Sequence, residues 1–308
     1  MTDDNVSVSV VIPAWNAAVT LSEQLEALSA QVTALDGEVI VADNGSTDGT
    51  AAVARRWADR IPRLRVVDAA ARRGPAAARN IGAAAARGRL LVFCDADDVV
   101  ASEWLALMIS GLEEHDLVGG LLETRSLRRP GAVTVSWEPT AEIHLHYWTR
   151  FEATPSSNLG IRRVAFDALG GFDEALVTGE DVDLCWRAQV AGFSFGRVPG
   201  AVVRSRPRVG LRAIYRQAFS YGKGHRQLRK KYAEHIAAHV EAAAERSSGA
   251  MDTARPEATS PRRSTGARVR RLLTPSGRAD LTWRVGQSLG EHLSRADRHI
   301  GTLPRDDD

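Results

Sequence analysis

Short apolar runs rich in β-branched residues alternate with segments of helical periodicity along the first 119 residues. Residues 6–12 read VSVSVVI and are followed by Pro13, a pattern typical of a buried strand that ends there. Residues 18–30 then place Leu21, Leu25 and Leu28 at helical spacing. The chain is therefore predicted to begin with a strand followed by a helix.

Three more strand–helix pairs are predicted in the same stretch. EVIVAD at 38–43 precedes a helix that ends near Trp57, RLRVVDAA precedes GPAAARNIGAAAARG, and RLLVFCDADD precedes SEWLALMISGLEEH. Connections of this length favour parallel βαβ units. The pattern predicts an α/β fold with a doubly wound, mostly parallel sheet and helices on both faces.

The pattern becomes less regular after Gly120. Residues 121–157 predict a hairpin and loops, residues 158–203 predict short helices and the strands FSFGRV and AVV, and residues 210–245 predict one long basic helix. Ser, Pro, Gly and charged residues dominate 246–266, which predicts a disordered linker. The chain is therefore predicted to contain one domain over residues 1–225, with halves 1–119 and 120–225. The end of the basic helix at 226–245 and the linker 246–266 follow it. A tail at 267–308 is predicted to contain one amphipathic helix, LTWRVGQSLGEHL. We expect deletion of 246–308 to leave the domain intact.

Composition narrows the class of protein. The 308 residues are 44% hydrophobic and 25% charged, as in ordinary soluble proteins, and the net charge of +2 offers no field that would attract nucleic acid. Residues 2–5 are polar, and no apolar run approaches the ~20 residues of a membrane span. Only two cysteines occur, Cys94 and Cys185, which suits a reducing compartment. These observations predict a cytoplasmic protein.

Acidic and polar residues gather where three predicted strands end, at 13–16, 43–48 and 95–98. Open α/β sheets bind ligands at the carboxyl ends of their strands, although each stretch taken singly also fits a solvated loop. Asp95, Asp97 and Asp98 repel one another unless a positive partner lies among them. Mg²⁺ or Mn²⁺ takes carboxylate ligands together with substrate phosphates. The cluster therefore predicts a metal ion that carries a diphosphate.

Four segments resemble the successive blocks of the family-two, inverting glycosyltransferases with the GT-A fold, of the nucleotide-diphospho-sugar transferase superfamily. They are VSVVIPAWN, EVIVADNGSTDGT, RRGPAAARNIGAAAARGRLLVFCDADD and GGFDEALVTGEDVDLCWRAQVAGF, and the resemblance covers residues 6–225. No G-x-G-x-x-G follows the first strand, and no G-x-x-x-x-G-K-[ST] occurs. The resemblance implies transfer of a sugar from a nucleotide sugar to an acceptor hydroxyl, with Mn²⁺ or Mg²⁺.

The resemblance also implies roles at the donor site. Asp43 would accept a hydrogen bond from the imide N–H of the base, which implies a UDP- or dTDP-linked donor, and Pro13, Ala14 and Asn16 would lie along base and ribose. Arg79 would hold phosphate oxygens or Asp43, the alternative being an exposed helical arginine.

In the D-x-D pattern of the family, Asp95 would contact the ribose and Asp97 would bind the metal. Asp98 is the alternative metal ligand, because the register of D-A-D-D is ambiguous.

The family's catalytic base corresponds to an acid of the ED pair in TGEDVDLCWR. We assign it to Asp181, with Glu180 as the second choice. The structural alternative is a helix start that favours acids, with an Asp183–Arg187 pair at i,i+4. Many relatives have a histidine after the last core strand, whereas AVVRSRPR has Arg204 or Ser205 there. An arginine at this place would hold the diphosphate directly, with one fewer metal ligand.

The acceptor is predicted to be a sugar, a lipid-linked molecule or another small molecule. His144, His146, Trp137, Tyr147 and Trp148 fall in the acceptor half, where they fit either an acceptor-lining role or an ordinary core. The basic helix fits either a solvated face or a surface that touches anionic lipid, so peripheral contact with the inner face of a membrane is part of the hypothesis.

Two alternatives remain at this point. A catalytically silent GT-A scaffold would bind a nucleotide sugar or partner proteins. A sugar nucleotidyltransferase would need a Gly-rich loop with Arg or Lys after the first strand, and IPAWNAAVT has none.

Overall fold

A computed structural model describes residues 6–135, 148–249 and 274–293 of the chain. They form one mixed sheet of eight strands with helices on both faces. The strands are β1 Val8–Ala14, β2 Glu38–Asp43, β3 Leu64–Asp68, β4 Leu90–Phe93, β5 Val99–Val100, β6 Leu117–Glu123, β7 Leu159–Arg162 and β8 Phe195–Arg204. The helices are α1 Leu21–Ala34, α2 Thr50–Arg55, α3 Pro75–Ala85, α4 Trp104–Glu114, α5 Arg163–Ala168, α6 Glu180–Val190, α7 Leu211–Lys231, α8 Ala233–Gly249 and α9 Pro275–Leu293, with a 3₁₀ turn at Ser156–Asn158.

The first four strands are parallel, as the sequence predicts. They lie in the order β3-β2-β1-β4, and the register places Ala14 beside Asp43 and Val11 beside Phe93. Because parallel strands end at the same edge, the loops that follow β1, β2 and β4 lie side by side. This edge carries the predicted donor-site residues.

The second half of the sheet is not parallel throughout. β7 is antiparallel to both β4 and β6, whereas β8 is parallel to β6 and antiparallel to β5. The strands β6 and β7 were not predicted, and the two predicted strands FSFGRV and AVV form the single strand β8, whose register against β6 shifts between Gly120 and Leu121. The α/β expectation is confirmed: in the described sheet four strand pairs are parallel and three are antiparallel.

Successive side chains of β1 pack into two hydrophobic cores, one on each face of the sheet. Val8 and Val10 pack with α1 and α4 on one face of the sheet, whereas Val11 packs with α3 and α6 on the other. This follows from the two-residue period of a strand, which turns successive side chains to opposite faces. The largest fully buried side chains include Trp104 on the first face, and Trp186 and Tyr232 on the second.

The predicted long basic helix is two helices, α7 and α8, which meet at the buried Tyr232. The predicted domain boundary at residue 225 falls inside α7. α8 takes in residues 246–249 of the predicted linker, and residues 250–266 lie outside the described residues, as do Trp137, His144, His146 and Tyr147. Trp148 is buried and its ring lies edge-on to His225. No helix in the described part of the chain is long and apolar enough to span a bilayer.

The tail helix α9 packs directly along α7. Gly222 of α7 faces Gly290 of α9, and Gly286 lies against the backbone of Tyr215. Glycine permits this approach because it has no Cβ that would separate the two backbones. This contact makes α9 part of the folded unit, and the effect of deleting residues 246–308 stays a prediction.

We expect Gly290→Leu to lower the melting temperature. A Cβ at this position would overlap the carbonyl oxygen of Phe219, which is backbone and cannot yield as a side chain can. Overpacking of this kind costs about 1–3 kcal/mol. The matched control is Ser288→Leu on the exposed side of the same helix. Equal melting temperatures for the two variants would contradict the α7–α9 contact.

Candidate active site

The loops after β1 and β2 are joined by hydrogen bonds. The Asn16 amide donates to Ser46 Oγ at 2.9 Å, the Thr47 amide donates to Asn16 Oδ1 at 2.9 Å, and the Ala18 amide donates to Asp48 Oδ2 at 3.0 Å. Asn16 has a φ of 50°, a left-handed conformation that asparagine tolerates better than most residues. The predicted base-and-ribose segment is thus fixed against the loop that follows Asp43.

Asp43 is the last residue of β2. One of its oxygens accepts a hydrogen bond from the Ser46 amide at 3.1 Å, and its other oxygen has no donor among the described residues. The side chain is half-buried, as is Pro13 on the neighbouring strand, whereas Ala14 is buried between them. Asp43 can therefore offer an acceptor oxygen to a ligand at this edge.

Arg79 is buried and joins two parts of the site. Its Nη2 donates to Asp95 Oδ1 at 2.7 Å and its Nη1 donates to Glu180 Oε1 at 2.9 Å, across 101 residues of sequence. Its Nε is buried and has no hydrogen-bond partner among the described residues. The alternative of an exposed helical arginine is wrong, and the predicted contact with Asp43 is replaced by the two ion pairs.

Asp95, Asp97 and Asp98 each offer an oxygen, and the three oxygens lie within 4.8 Å of one another. Burial, followed by the negative charge of Asp95, raises the pKa of Asp97, and the same causes raise the pKa of Asp98 well above its usual range. Three hard oxygen donors in this spacing fit Mg²⁺ or Mn²⁺. The Asp97 side chain is 30% exposed whereas Asp98 is 3% exposed, so Asp97 is the more accessible of the two carboxylates.

Two arginines that the sequence analysis missed supply part of the positive charge. Arg206 donates from its amide to Asp98 Oδ1 at 2.9 Å and from Nε to the Asp97 carbonyl at 3.0 Å, and Arg208 Nη1 donates to Asp97 Oδ2 at 3.1 Å. Ser205 donates its hydroxyl to Asp98, whereas Arg204 lies exposed on β8 opposite Val99. The sequence signal that could have identified them is the arginine at every second position from Arg204 to Arg208, where strand β8 ends.

The two acids that open α6 have different surroundings. Glu180 is buried against Arg79, and burial, with the charge of Asp181 adding to it, raises the pKa of Glu180 to about 7. Asp181 is half-buried, and its oxygens accept from the Ser156 amide at 3.0 Å and the Val182 amide at 2.8 Å. Burial raises the pKa of Asp181 as well. Asp181 is thus the member of the pair that remains accessible to a substrate.

The structural alternative for α6, a helix start with an Asp183–Arg187 ion pair, is also present in the fold. Asp183 pairs with Arg187 at 2.7 Å, as the i,i+4 spacing predicted, and it further accepts hydrogen bonds from Lys231 and Tyr232. Asp183 is fully buried, so its carboxylate anchors α6 to α7 and is not exposed at the site.

Comparison with known proteins agrees with this geometry. The family model described as glycosyl transferase family 2 matches residues 9–165, and a second, described as glycosyl transferase family group 2, matches residues 90–251. The glycosyltransferase AglE of Haloferax volcanii is 29% identical over 232 residues, which are 74% of this chain and 76% of that protein.

Two solved structures have similar folds. The mannosyltransferase PcManGT from Pyrobaculum calidifontis, in complex with GDP-Man and Mn²⁺, is 25% identical with a TM-score of 0.60 and covers 94% of this chain and 87% of that one. S. aureus TarS 1–349, in complex with UDP-GlcNAc, is 20% identical with a TM-score of 0.51 over 70% of this chain and 66% of that one, and shares the fold.

The family match spans half of the chain and includes β1, Asp43, Arg79 and the acidic cluster, and the solved relatives share the fold on which these residues lie. The chain therefore belongs to glycosyl transferase family 2 and is a glycosyltransferase with the GT-A fold.

Proposed function

We propose that the chain transfers a sugar, with inversion, from a nucleoside-diphosphate sugar to an acceptor hydroxyl, with a divalent cation and Asp181 as the base. The observation that carries this proposal is the Arg79 bridge, which links Asp95 in the acidic cluster to Glu180, the neighbour of Asp181. A buried arginine with two carboxylate partners is a rigid connection. It holds the donor side and the acceptor side of the cleft at a fixed separation.

Asp181 takes the proton of the acceptor hydroxyl as that oxygen attacks the anomeric carbon. A bond forms between the acceptor oxygen and this carbon while the bond to the diphosphate oxygen breaks on the opposite face, so one displacement inverts the configuration. The Ser156 and Val182 amides orient the carboxylate through one lone pair on each oxygen. Glu180 is a positioning residue, because its carboxylate is committed to Arg79.

The donor is held along the edge formed by β1, β2 and β4. Asp43 accepts the imide N–H of uracil or thymine, which favours a UDP- or dTDP-linked sugar, while Pro13, Ala14 and Asn16 lie along base and ribose. Asp95 accepts from a ribose hydroxyl. The support for these roles is the adjacency of the strand ends and the Asp43 oxygen for which the described part of the chain supplies no donor.

Asp97, with Asp98 beside it, would hold the cation. A bound Mg²⁺ or Mn²⁺ would stabilise the negative charge that develops on the leaving diphosphate. Arg206 and Arg208 neutralise part of the charge of these acids in the free protein, and Arg208, whose side chain is 57% exposed, would bind diphosphate oxygens when the donor is present.

We expect Asp43→Ala to weaken the preference for uracil and thymine over guanine while the dependence on Mn²⁺ is retained. The reason is that the variant loses the group that accepts the imide N–H but keeps the acidic cluster. The measurement is the Kd of UDP, dTDP and GDP by calorimetry with and without Mn²⁺. An unchanged base preference in the variant would contradict this role of Asp43.

The experiment that tests the proposed function is a screen of nucleotide sugars for stabilisation of the chain, followed by measurement of nucleoside-diphosphate release. A glycosyltransferase shows a metal-dependent rise in Tm with one donor and release of the corresponding diphosphate when an acceptor is supplied. A catalytically silent scaffold would show the rise in Tm with the donor but would release no nucleoside diphosphate with any acceptor.

A further inference from the structure

Six large apolar side chains are exposed just before α7, at its start, or on α9. They are Val209 at 51%, Leu211 at 41%, Tyr215 at 37%, Leu281 at 47%, Val285 at 45% and Leu293 at 65% exposure. Gly286 lies against Tyr215, and Gly290 lies against Phe219, so the two helices run side by side in the same direction. We call the exposed residues of these two adjacent helices, together with Arg208 and Val209 directly before α7, the α7–α9 face.

The same face is strongly basic. Its exposed charged side chains are Arg208, Arg212, Arg216, Arg278 and Arg284. Residues 204–217 contain no acid, and residues 275–288 contain one, Asp280. The whole chain is nearly balanced, with 40 basic and 38 acidic residues, so this local excess is a property of the face and not of the composition.

The face borders the acidic cluster. Arg208, which pairs with Asp97 at 3.1 Å, directly precedes the exposed Val209. The amide of Gly210 also donates to the carbonyl of Val133, so the segment that contains exposed Arg128 and Arg129 joins the start of α7. The start of the α7–α9 face thus lies beside the acidic cluster.

We propose that the α7–α9 face is a docking surface for an anionic bilayer. Apolar side chains among arginines are the pattern of an interfacial surface, in which the apolar groups enter the acyl boundary and the arginines bind lipid phosphates. A second copy of this chain would bring a like-charged face against it, and the repulsion of two sets of arginines disfavours that occupant.

Docking in this orientation places the cleft at the membrane surface. If the proposed function holds, the acceptor hydroxyl that Asp181 deprotonates is carried by a molecule anchored in that bilayer, and the α7–α9 face delivers it. The docking itself does not depend on catalysis, so it can be tested without donor or acceptor.

The test is flotation of the full chain with vesicles of phosphatidylcholine alone and of phosphatidylcholine mixed with phosphatidylglycerol. We expect binding to the anionic vesicles only, weakened by added salt. Arg212→Gln with Arg216→Gln is expected to lower the partition coefficient by about fivefold for each arginine. Leu281→Ser with Val285→Ser is expected to lower it further while the Tm is retained, because both side chains are exposed.

Matched controls are Arg55→Gln with Arg56→Gln and Val164→Ser with Val240→Ser, which remove exposed arginines and exposed valines elsewhere on the protein. Absence of wild-type binding to anionic vesicles would overturn the proposal, as would equal losses in the control variants. A wild-type dimer that Leu281→Ser with Val285→Ser converts to monomer would assign the face to a second copy instead. Failure to release nucleoside diphosphate, with vesicle binding intact, would count against the proposed function alone.

Discussion

Asp181→Asn is expected to lower kcat by about 10²–10⁴-fold while the donor still binds, because the amide cannot accept the acceptor's proton. Asparagine keeps the size of the side chain and one oxygen, and that oxygen can still accept a hydrogen bond from the Ser156 amide. If Asp181 only stabilised the start of α6, its loss would cost about 0.3–1 kcal/mol of stability and leave kcat nearly unchanged. The measurement is the transfer rate and the Tm of the same variant.

Glu180→Gln is the matched control, since it removes the charge from the adjacent residue. Glu180 is one of two ion-pair partners of the buried Arg79, and the loss of its charge leaves Arg79 with Asp95 alone, which lowers stability. We therefore expect the Tm to fall more for Glu180→Gln and kcat to fall more for Asp181→Asn. The reverse pattern would keep the acid pair but exchange the assigned roles.

Asp97→Ala is expected to abolish the metal-dependent binding of the nucleoside diphosphate. Asp97 is the more exposed of the two proposed ligands, and burial, followed by the charge of Asp95, raises its pKa. Because Asp97 lies in the loop after β4, we expect its removal to leave the fold intact.

The control for this variant is Asp68→Ala, which removes an exposed acid at the end of strand β3, separated from β4 by β2 and β1. Calorimetry of both variants with UDP, with and without Mn²⁺, separates a ligand from a general electrostatic effect. Unchanged metal dependence in Asp97→Ala would show that this residue is not a ligand.

Much of the fold can be predicted from local pattern. The strands β1, β2 and β4 are continuous runs of Val, Ile and Leu, as strands buried on both faces require, and polar residues follow each of them. The strand β6 was missed because Gly119 and Gly120 interrupt its apolar run. At these glycines a Cβ would overlap Thr154 and Asn158, so close packing in the fold selects residues that weaken the strand signal.

In the candidate site, too, short sequence segments could be predicted, whereas contacts between distant residues could not. The acidic cluster and the ED pair are visible in the sequence, because each is a short segment. The Arg79 bridge joins residues separated by 101 positions, and Arg206 and Arg208 reach the cluster from more than 100 residues away, so no local pattern contains these contacts. The docking of α9 depends on Gly222, Gly286 and Gly290, whose small size is informative only once the helices are paired.

The most direct test of the account is proton NMR of donor turnover by the wild-type chain with Mn²⁺, recorded from the first minutes of the reaction. A panel of α-linked UDP-, dTDP- and GDP-sugars identifies the donor, and water serves as the acceptor where no other is known. A single displacement releases the nucleoside diphosphate together with a sugar product that first appears in the β configuration, before mutarotation. A product that first appears in the α configuration, or a bound donor that releases no nucleoside diphosphate, would contradict it.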